Sequence, residues 1–545
     1  MISSVARSNA LKRGTPFISG TFPTSAGPAN PFGPANLGGS PLSEAALGAA
    51  QLGLDREVYD ANLTVAWELS DDWTFTTVNG YREFDSLEIF DADGSAAWFL
   101  EFAELAQGWQ ASHEGRFAFS GSQIRGSIGW NVFVEDGLQN VPFSADEGAF
   151  ITCLTGGALG APCIAPDGTN TSALVIPGLS GGALSSLPYR SVFENQGRNE
   201  TYSVFADATW LPTESLELTA GLRYIWENRE SGYSATAPVP ALLGFLSPAQ
   251  REALLAALPS LAGSLIPGQI DTAGQTYVAG DTYYAWLPRF NALLRATDDI
   301  NFYATISKGR RSPVLQLSAR RDLLGNPQAL VQNVPAEIVW NYEAGVKLNT
   351  GIVSASLGAY YLDYSGFQVS VIQEDGSSRT QSAGSAANIG IEAELGLDLT
   401  DWLSLFANGS YIDAKVDKDN AFAPAFAGAR FRLQPAWQGS AGFTINAPVG
   451  NGVRFFATPS VTHRSTIFFE LPNSALISQG PVTLFNARAG FSFNDEQFEV
   501  AAFIRNATDE DFLLDAGNTG GAFGIPTFIP GEPRMYGVQL TARLF

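Results

Sequence analysis

Histidine and methionine each occur only twice in 545 residues, and cysteine only at Cys153 and Cys163. Basic residues are also scarce, 31 Lys and Arg against 54 Asp and Glu, for a formal charge of -23. That deficit excludes a nucleic-acid partner, because phosphate binding needs a basic footprint. No run of about 18 apolar residues appears, so there is no candidate transmembrane helix. The opening "MISSVARSNALKRGTPF" lacks the apolar core and cleavage site of a signal peptide. His113 and His463 stand far apart with no convergent partners, which argues against a metal site and against a Ser/His/Asp system. No cofactor motif is present: the Gly-rich stretches follow no strand-to-helix phosphate pattern.

The two cysteines bracket the Gly/Ala/Pro-rich "CLTGGALGAPC". A disulfide between Cys153 and Cys163, closing a short loop and stabilising by roughly 2–3 kcal/mol, is the favoured reading. The plainer one is a pair of unlinked small hydrophobic residues.

What the chain does have is alternation. In "SLELTAGLRYIWE" the apolar set Leu216, Leu218, Ala220, Leu222, Tyr224 and Trp226 opposes Glu217, Thr219, Gly221, Arg223 and Glu227. "GIEAELGLDL" sets Ile391, Ala393, Leu395, Leu397 and Leu399 against Glu392, Glu394 and Asp398. "FNARAGFSF" repeats the pattern with Phe485, Ala487, Ala489, Phe491 and Phe493 against Asn486, Arg488 and Ser492. The C-terminal "YGVQLTARLF" places Tyr536, Val538, Leu540, Ala542 and Leu544 on one face, with Phe545 one position out of phase. Period two means half-buried strands. These segments run about ten to fifteen residues, longer than an ordinary strand and enough to cross a bilayer at a tilt. Aromatic residues near segment ends, such as Tyr224, Trp226, Tyr360, Tyr361 and Trp402, fit interfacial girdles. The fold expected is all-β, a transmembrane antiparallel barrel with apolar outside and polar lumen.

Connections alternate between short Asp/Asn/Gly/Thr turns, near 69–73, 211–215, 296–300, 349–351, 399–403, 448–452 and 494–497, and long segments near 87–107, 136–198, 230–279, 309–335, 366–386, 413–430, 467–481 and 507–532. Barrels of this kind keep short turns on the periplasmic side and long loops outside. Eight hairpins and a last strand give about 17 strands, an odd number that starts the first strand, near "REVYDANLTVAWEL", from outside. Residues 1–56 then read as the remnant of an extracellular loop, and 57–545 as the barrel. On this count the expectation is the C-terminal part of a longer protein, whose unpaired edge strands would make the isolated piece fold poorly.

The phrases "YSVFADATWLPTESLELTAGLRYIWENRE", "INFYATISKGRRSPV", "EIVWNYEAGVKLNTGIVSASLGAYYLDYSGFQV", "IGIEAELGLDLTDWLSLFANGSYIDAKV" and "PRMYGVQLTARLF" together resemble the β-barrel domain of TonB-dependent outer-membrane receptors. The resemblance implies a 22-stranded barrel with an N-terminal plug, located in the outer membrane of a Gram-negative bacterium. It implies uptake of an iron-siderophore complex or another scarce nutrient, and not an enzyme. Partners would be outer-membrane lipid and lipopolysaccharide, the barrel assembly machinery, a small-molecule substrate such as a ferric siderophore, and the TonB complex, reached through a plug that these phrases do not include. The second reading is a passive porin-like or structural outer-membrane barrel.

Arg310, Arg311, Arg320 and Arg321 cluster in "KGRRSP" and "SARRD". They could take an anionic substrate or a lipopolysaccharide phosphate, or simply balance nearby carboxylates in a solvated loop. By alternation Glu217, Arg223, Glu343, Lys347, Glu392, Glu394, Arg488 and Arg505 face the lumen, most of them paired structurally. "SPAQREALLAALPSLAGSLIP" is the one helical pattern, carrying Leu254, Leu255 and Leu258 at helix spacing inside a long loop.

Overall fold

The computed structural model describes residues 53–543, apart from 92–97, 99, 156–170, 267, 373–377, 420–423, 476, 495 and 517–527. One antiparallel sheet of 17 strands dominates it. In chain order these are β1 Gly53–Glu68, β2 Trp73–Asp91, β3 Glu101–Ser120, β4 Ile124–Asp146, β5 Pro188–Thr213 and β6 Leu216–Thr236. Then come β7 Tyr277–Arg295, β8 Ile300–Arg311, β9 Glu337–Asn349, β10 Val353–Ser365, β11 Ser385–Thr400 and β12 Leu403–Val416. The last are β13 Trp437–Gly450, β14 Val453–Arg464, β15 Val482–Phe493, β16 Phe498–Arg505 and β17 Met535–Ala542. Each strand pairs with the next in sequence, so the sheet is an up-and-down meander. Among the described residues β1 pairs only with β2, and β17 only with β16. The first strand begins at Gly53, slightly before the expected start, and residues 1–52 of the expected N-terminal segment lie outside the described residues.

Short turns and long connections alternate as the sequence implies. A typical short turn is Thr350–Ile352, where Gly351 takes φ +85° and the Thr350 N–H donates to the Val353 carbonyl at 2.9 Å. The turn at 121–123, absent from the sequence reading, is closed by Gly121 N–H to Ile124 O at 3.0 Å. The strands beside the longest loops are longer than expected, 23 residues in β4 and 26 in β5. Their outer halves are polar hairpin walls, such as Glu135 to Gln139 opposite Asn195 to Asn199, that carry the ladder past the apolar belt.

The faces separate cleanly. Register puts Trp226, Tyr224, Leu222 and Leu218 of β6 beside Tyr284, Trp286, Pro288 and Ala292 of β7, and the row continues through Phe290, Ile306, Tyr342, Tyr361 and Ile389. Most of these large side chains are exposed: Trp286 57%, Phe290 55%, Ile389 51%. In water such a continuous apolar belt would be untenable, whereas in a bilayer it is the buried face. Tyr360 belongs to the opposite face from Tyr361. It lies over Gly390, where any Cβ would fall 2.2 Å from its ring, so it is no part of the outer girdle.

The apolar cores lie at the other extreme. Four buried clusters are made by the long connections and the strand ends that carry them. The largest joins α1 Glu147–Thr155, α2 Val175–Leu179 and α3 Pro248–Ala257 through Phe150, Ile151, Ile176, Leu242, Leu254, Leu261 and Leu265. α3 is the helix expected from sequence. Ser247 and Gln250 form its capping box, with Leu254 buried and Leu255 and Leu258 packed beside it. Cys153 in this cluster is disulfide-bonded, and Cys163 lies outside the described residues. Of the C-terminal alternating positions, Tyr536, Val538, Leu540 and Ala542 sit in β17 and all are exposed, while Leu544 and Phe545 lie outside the described residues.

Candidate functional site

The inner face of the sheet and the loops over its long-connection end form the candidate site. Many inward positions are polar, and some of them pair across an intervening strand. Glu217 of β6, only 5% exposed, receives Arg125 from β4 and Arg295 from β7, near the short-turn end. Glu227, 3% exposed, receives Arg310 from β8, Arg229 at 2.6 Å and the Ser312 hydroxyl at 3.0 Å. A buried carboxylate needs such company, since an unpaired charge there would cost several kcal/mol.

The other lumen-facing candidates find local partners. Arg223 stacks over Phe205 at 4.9 Å. Tyr303 donates to Glu343 at 2.9 Å, and Lys347 sits 5.6 Å over the same ring. Arg488 pairs with Glu499 and stacks over Phe456 at 4.7 Å. Arg505 meets Glu532 at 2.9 Å. Glu392 and Glu394 line a groove of about 530 Å³ with Ser410, Ser440, Thr462 and Arg464, so carboxylates and a guanidinium face one space. The Arg464 guanidinium donates to the Leu513 carbonyl at 3.1 Å and lies 5.8 Å from the Phe512 ring.

The arginine cluster divides. Arg310 is locked on Glu227 and is structural, whereas Arg311, Arg320 and Arg321 are exposed. Sequence reading included Glu227 in the polar face but missed it as a ligand of Arg310, because the two are 83 residues apart. It also missed Arg125 and Arg295 as partners of Glu217.

His113 lies on the outer face, with Nδ1 2.8 Å from Asn79 Oδ1 and the ring 6.1 Å from Trp130. His463 Nδ1 is 2.8 Å from Thr483 Oγ1. Among the described residues no group of His, Cys, Asp and Glu could hold a metal ion.

Two further carboxylates hold the loops over the mouth. Asp146 accepts from the backbone of Ala149 (2.8 Å) and Leu187 (2.7 Å), and Glu147 from that of Ala241 (2.9 Å) and Leu242 (2.6 Å). Glu147 thereby ties the loop after β4 to the loop after β6. Burial pushes both carboxyl groups up, against the pull of those hydrogen bonds. Raised folded values mean that the loop cluster holds its protons more tightly than the unfolded chain. The increment is fully present below the ordinary carboxylate pKa of about 4 and is lost as pH rises through the raised folded values. Protection factors at the Leu242 and Ala149 amides, with the intrinsic pH dependence of amide exchange divided out, are therefore expected to rise on acidification from neutral pH. Glu147→Gln should flatten that dependence; an unchanged profile in the variant would contradict the assignment.

Comparisons with known proteins agree with this architecture. A family model described as TonB dependent receptor-like, beta-barrel, matches residues 4–507. The metal-pseudopaline receptor CntO of Pseudomonas aeruginosa is 30% identical over 275 residues, 48% of this chain and 34% of that receptor. The crystal structure of the ferric yersiniabactin uptake receptor FyuA from Yersinia pestis superposes with a TM-score of 0.65 at 15% identity, covering 90% of this chain and 62% of that one. The siderophore receptor PiuA from Acinetobacter baumannii gives 0.60 at 12% identity, over 89% and 64%. The chain thus spans about a third of the curated receptor and under two thirds of the solved ones. At these identities the solved structures speak for the fold.

Proposed function

Because the chain belongs to the TonB-dependent receptor β-barrel family, we propose that it supplies the wall and mouth of an outer-membrane receptor that takes up a scarce metal chelate or similar nutrient with TonB-derived energy. It is a Gram-negative outer-membrane transport component and not an enzyme. The observation that carries the reading is the pairing of a polar, ion-paired inner wall with loop cores packed over one end of the sheet. The loops capture the solute, and the polar inner wall passes it on once a plug moves. Iron as the transported metal is supported by what the solved relatives bind, the ferric yersiniabactin receptor among them. The TonB complex, outer-membrane lipid with its lipopolysaccharide and the barrel assembly machinery are the partners this reading requires. Among the described residues β1 and β17 each pair along one edge only, which supports a wall that further strands complete, because an unpaired edge in a bilayer strands backbone groups without partners.

The test is uptake of radiolabelled ferric chelates by cells that express this chain together with a plug-bearing complement of strands. Accumulation that stops when TonB is deleted is expected. Accumulation indifferent to TonB would overturn the reading in favour of a passive pore.

A further inference from the structure

The loop between β8 and β9 is a hairpin in which Val314–Arg321 pairs with Pro327–Val334. Its inner side is anchored: Leu317 and Ala319 pack on Tyr233 and Ala235 of β6, with Tyr277 and Ala279 of β7 alongside. Those four are inward positions, so the hairpin stands against the lumen side of the wall and its tip belongs to the mouth.

The tip is built firmly. The Asp322 carboxylate accepts from the backbone N–H of Leu324 and of Asn326, both at 2.8 Å, and Gly325 takes φ +86° to close the turn. Arg321 donates to the Gly325 carbonyl at 2.9 Å. This frame holds Leu323 and Leu324 at 106% and 87% exposure, the two most exposed large hydrophobic side chains of the described residues. Beside them stand Arg320 and Arg321, both exposed and neither in an ion pair among the described residues, in a chain of charge -23. Asp322 is committed to the turn, and its carboxyl is held below the usual range by those hydrogen bonds. Two bare leucines and two unneutralised guanidinium groups therefore share one rigid tip.

We propose that this tip is a capture site for a soluble amphipathic anion, a solute carrying an aliphatic chain next to a carboxylate or a comparable anionic group. Leu323 and Leu324 cover the chain, and Arg320 and Arg321 bind the head through charge-assisted hydrogen bonds. A soluble ligand, rather than the outer leaflet, is the occupant because the hairpin is rooted on the inner side of the wall. The proposal rests on the uptake reading above and narrows its substrate class to chelates or nutrients bearing an acyl tail.

The experiment uses the full chain assembled with the same plug-bearing complement of strands in lipid nanodiscs, with an environment-sensitive dye on a Leu324→Cys reporter at the tip, whose emission is followed as dodecanoate is added. A saturable blue shift with dodecanoate, absent with butanoate and with dodecanol, is expected. Arg320→Gln with Arg321→Gln should weaken it about tenfold, and Leu323→Ser by about as much. All these positions are exposed, and circular dichroism of the strand signal checks that each variant folds. An equal shift with dodecanol would overturn the anionic component. A shift already present in nanodiscs without dodecanoate, and abolished in amphipol, would show that the tip contacts lipid and overturn the proposal. No shift at all would do the same. Tip binding is read without transport, so a failure of TonB-dependent uptake with the shift intact would strike the functional reading alone.

Discussion

Glu227→Ala is expected to destabilise the long-loop half of the wall by about 3–5 kcal/mol, the cost of leaving a buried charge without its partner. The Arg310 and Glu227 side chains are 5% and 4% exposed, so neither charge has water to fall back on. Arg229, at 26%, can turn outward and needs less. The loss should extend to the capture hairpin, because Arg229 also donates to the Pro313 carbonyl at 3.2 Å and Ser231 to that of Leu315 at 2.9 Å. Combining Glu227→Leu with Arg310→Met removes both charges and should recover most of the loss. The readout is the midpoint of thermal unfolding followed by gel mobility in detergent. A single-variant loss under about 1 kcal/mol would mean that the pair is solvated in the folded protein, as a surface ion pair is.

The second large effect separates two neighbouring residues of β10. Leu357 is 51% exposed on the outer face and meets Val346 and Ala393 across the ladders, while Ser356 faces inward beside Glu394 at 3.4 Å. Leu357→Arg is expected to cost about 2–4 kcal/mol, the penalty for arginine in the hydrocarbon belt, and to abolish membrane assembly. Ser356→Arg, one position away, should assemble normally, since its guanidinium enters a polar lumen and finds Glu394. The fraction of each variant recovered as a folded, heat-modifiable outer-membrane species decides. Equal tolerance at both positions would remove the assignment of faces.

Much of this architecture could be read from the chain because a strand's faces alternate whatever surrounds it. Ile391, Glu392, Ala393 and Glu394 announce lipid and lumen by parity alone, and short Asp/Gly turns announce antiparallel neighbours. Parity also explains the misreading of Tyr360 beside Tyr361: adjacent residues of a strand cannot share a girdle. Other features depend on contacts between distant segments and left no local signal. Glu227 with Arg310, Glu217 with Arg125 and Arg295, and Glu147 with Leu242 join residues 78 to 95 apart. The arginine cluster was visible, yet its division into one structural and three exposed members was not, because burial is decided by β6, which lies far upstream. Leu323 and Leu324 carry no signal of their own within the long connection near 309–335, and only the Asp322 turn shows them held bare.

The central claim is that the apolar row meets lipid and the polar row water. A single-cysteine scan of β11 in a Cys153→Ser, Cys163→Ser background tests it directly, since residues 391–395 are exposed on both faces. With a fluorescent thiol label, brominated lipid should quench at positions 389, 391, 393 and 395, and aqueous iodide at 392 and 394. Quenching without alternation, or with lipid reaching Glu392 and Glu394 and iodide reaching Ile391 and Leu395, would contradict the account.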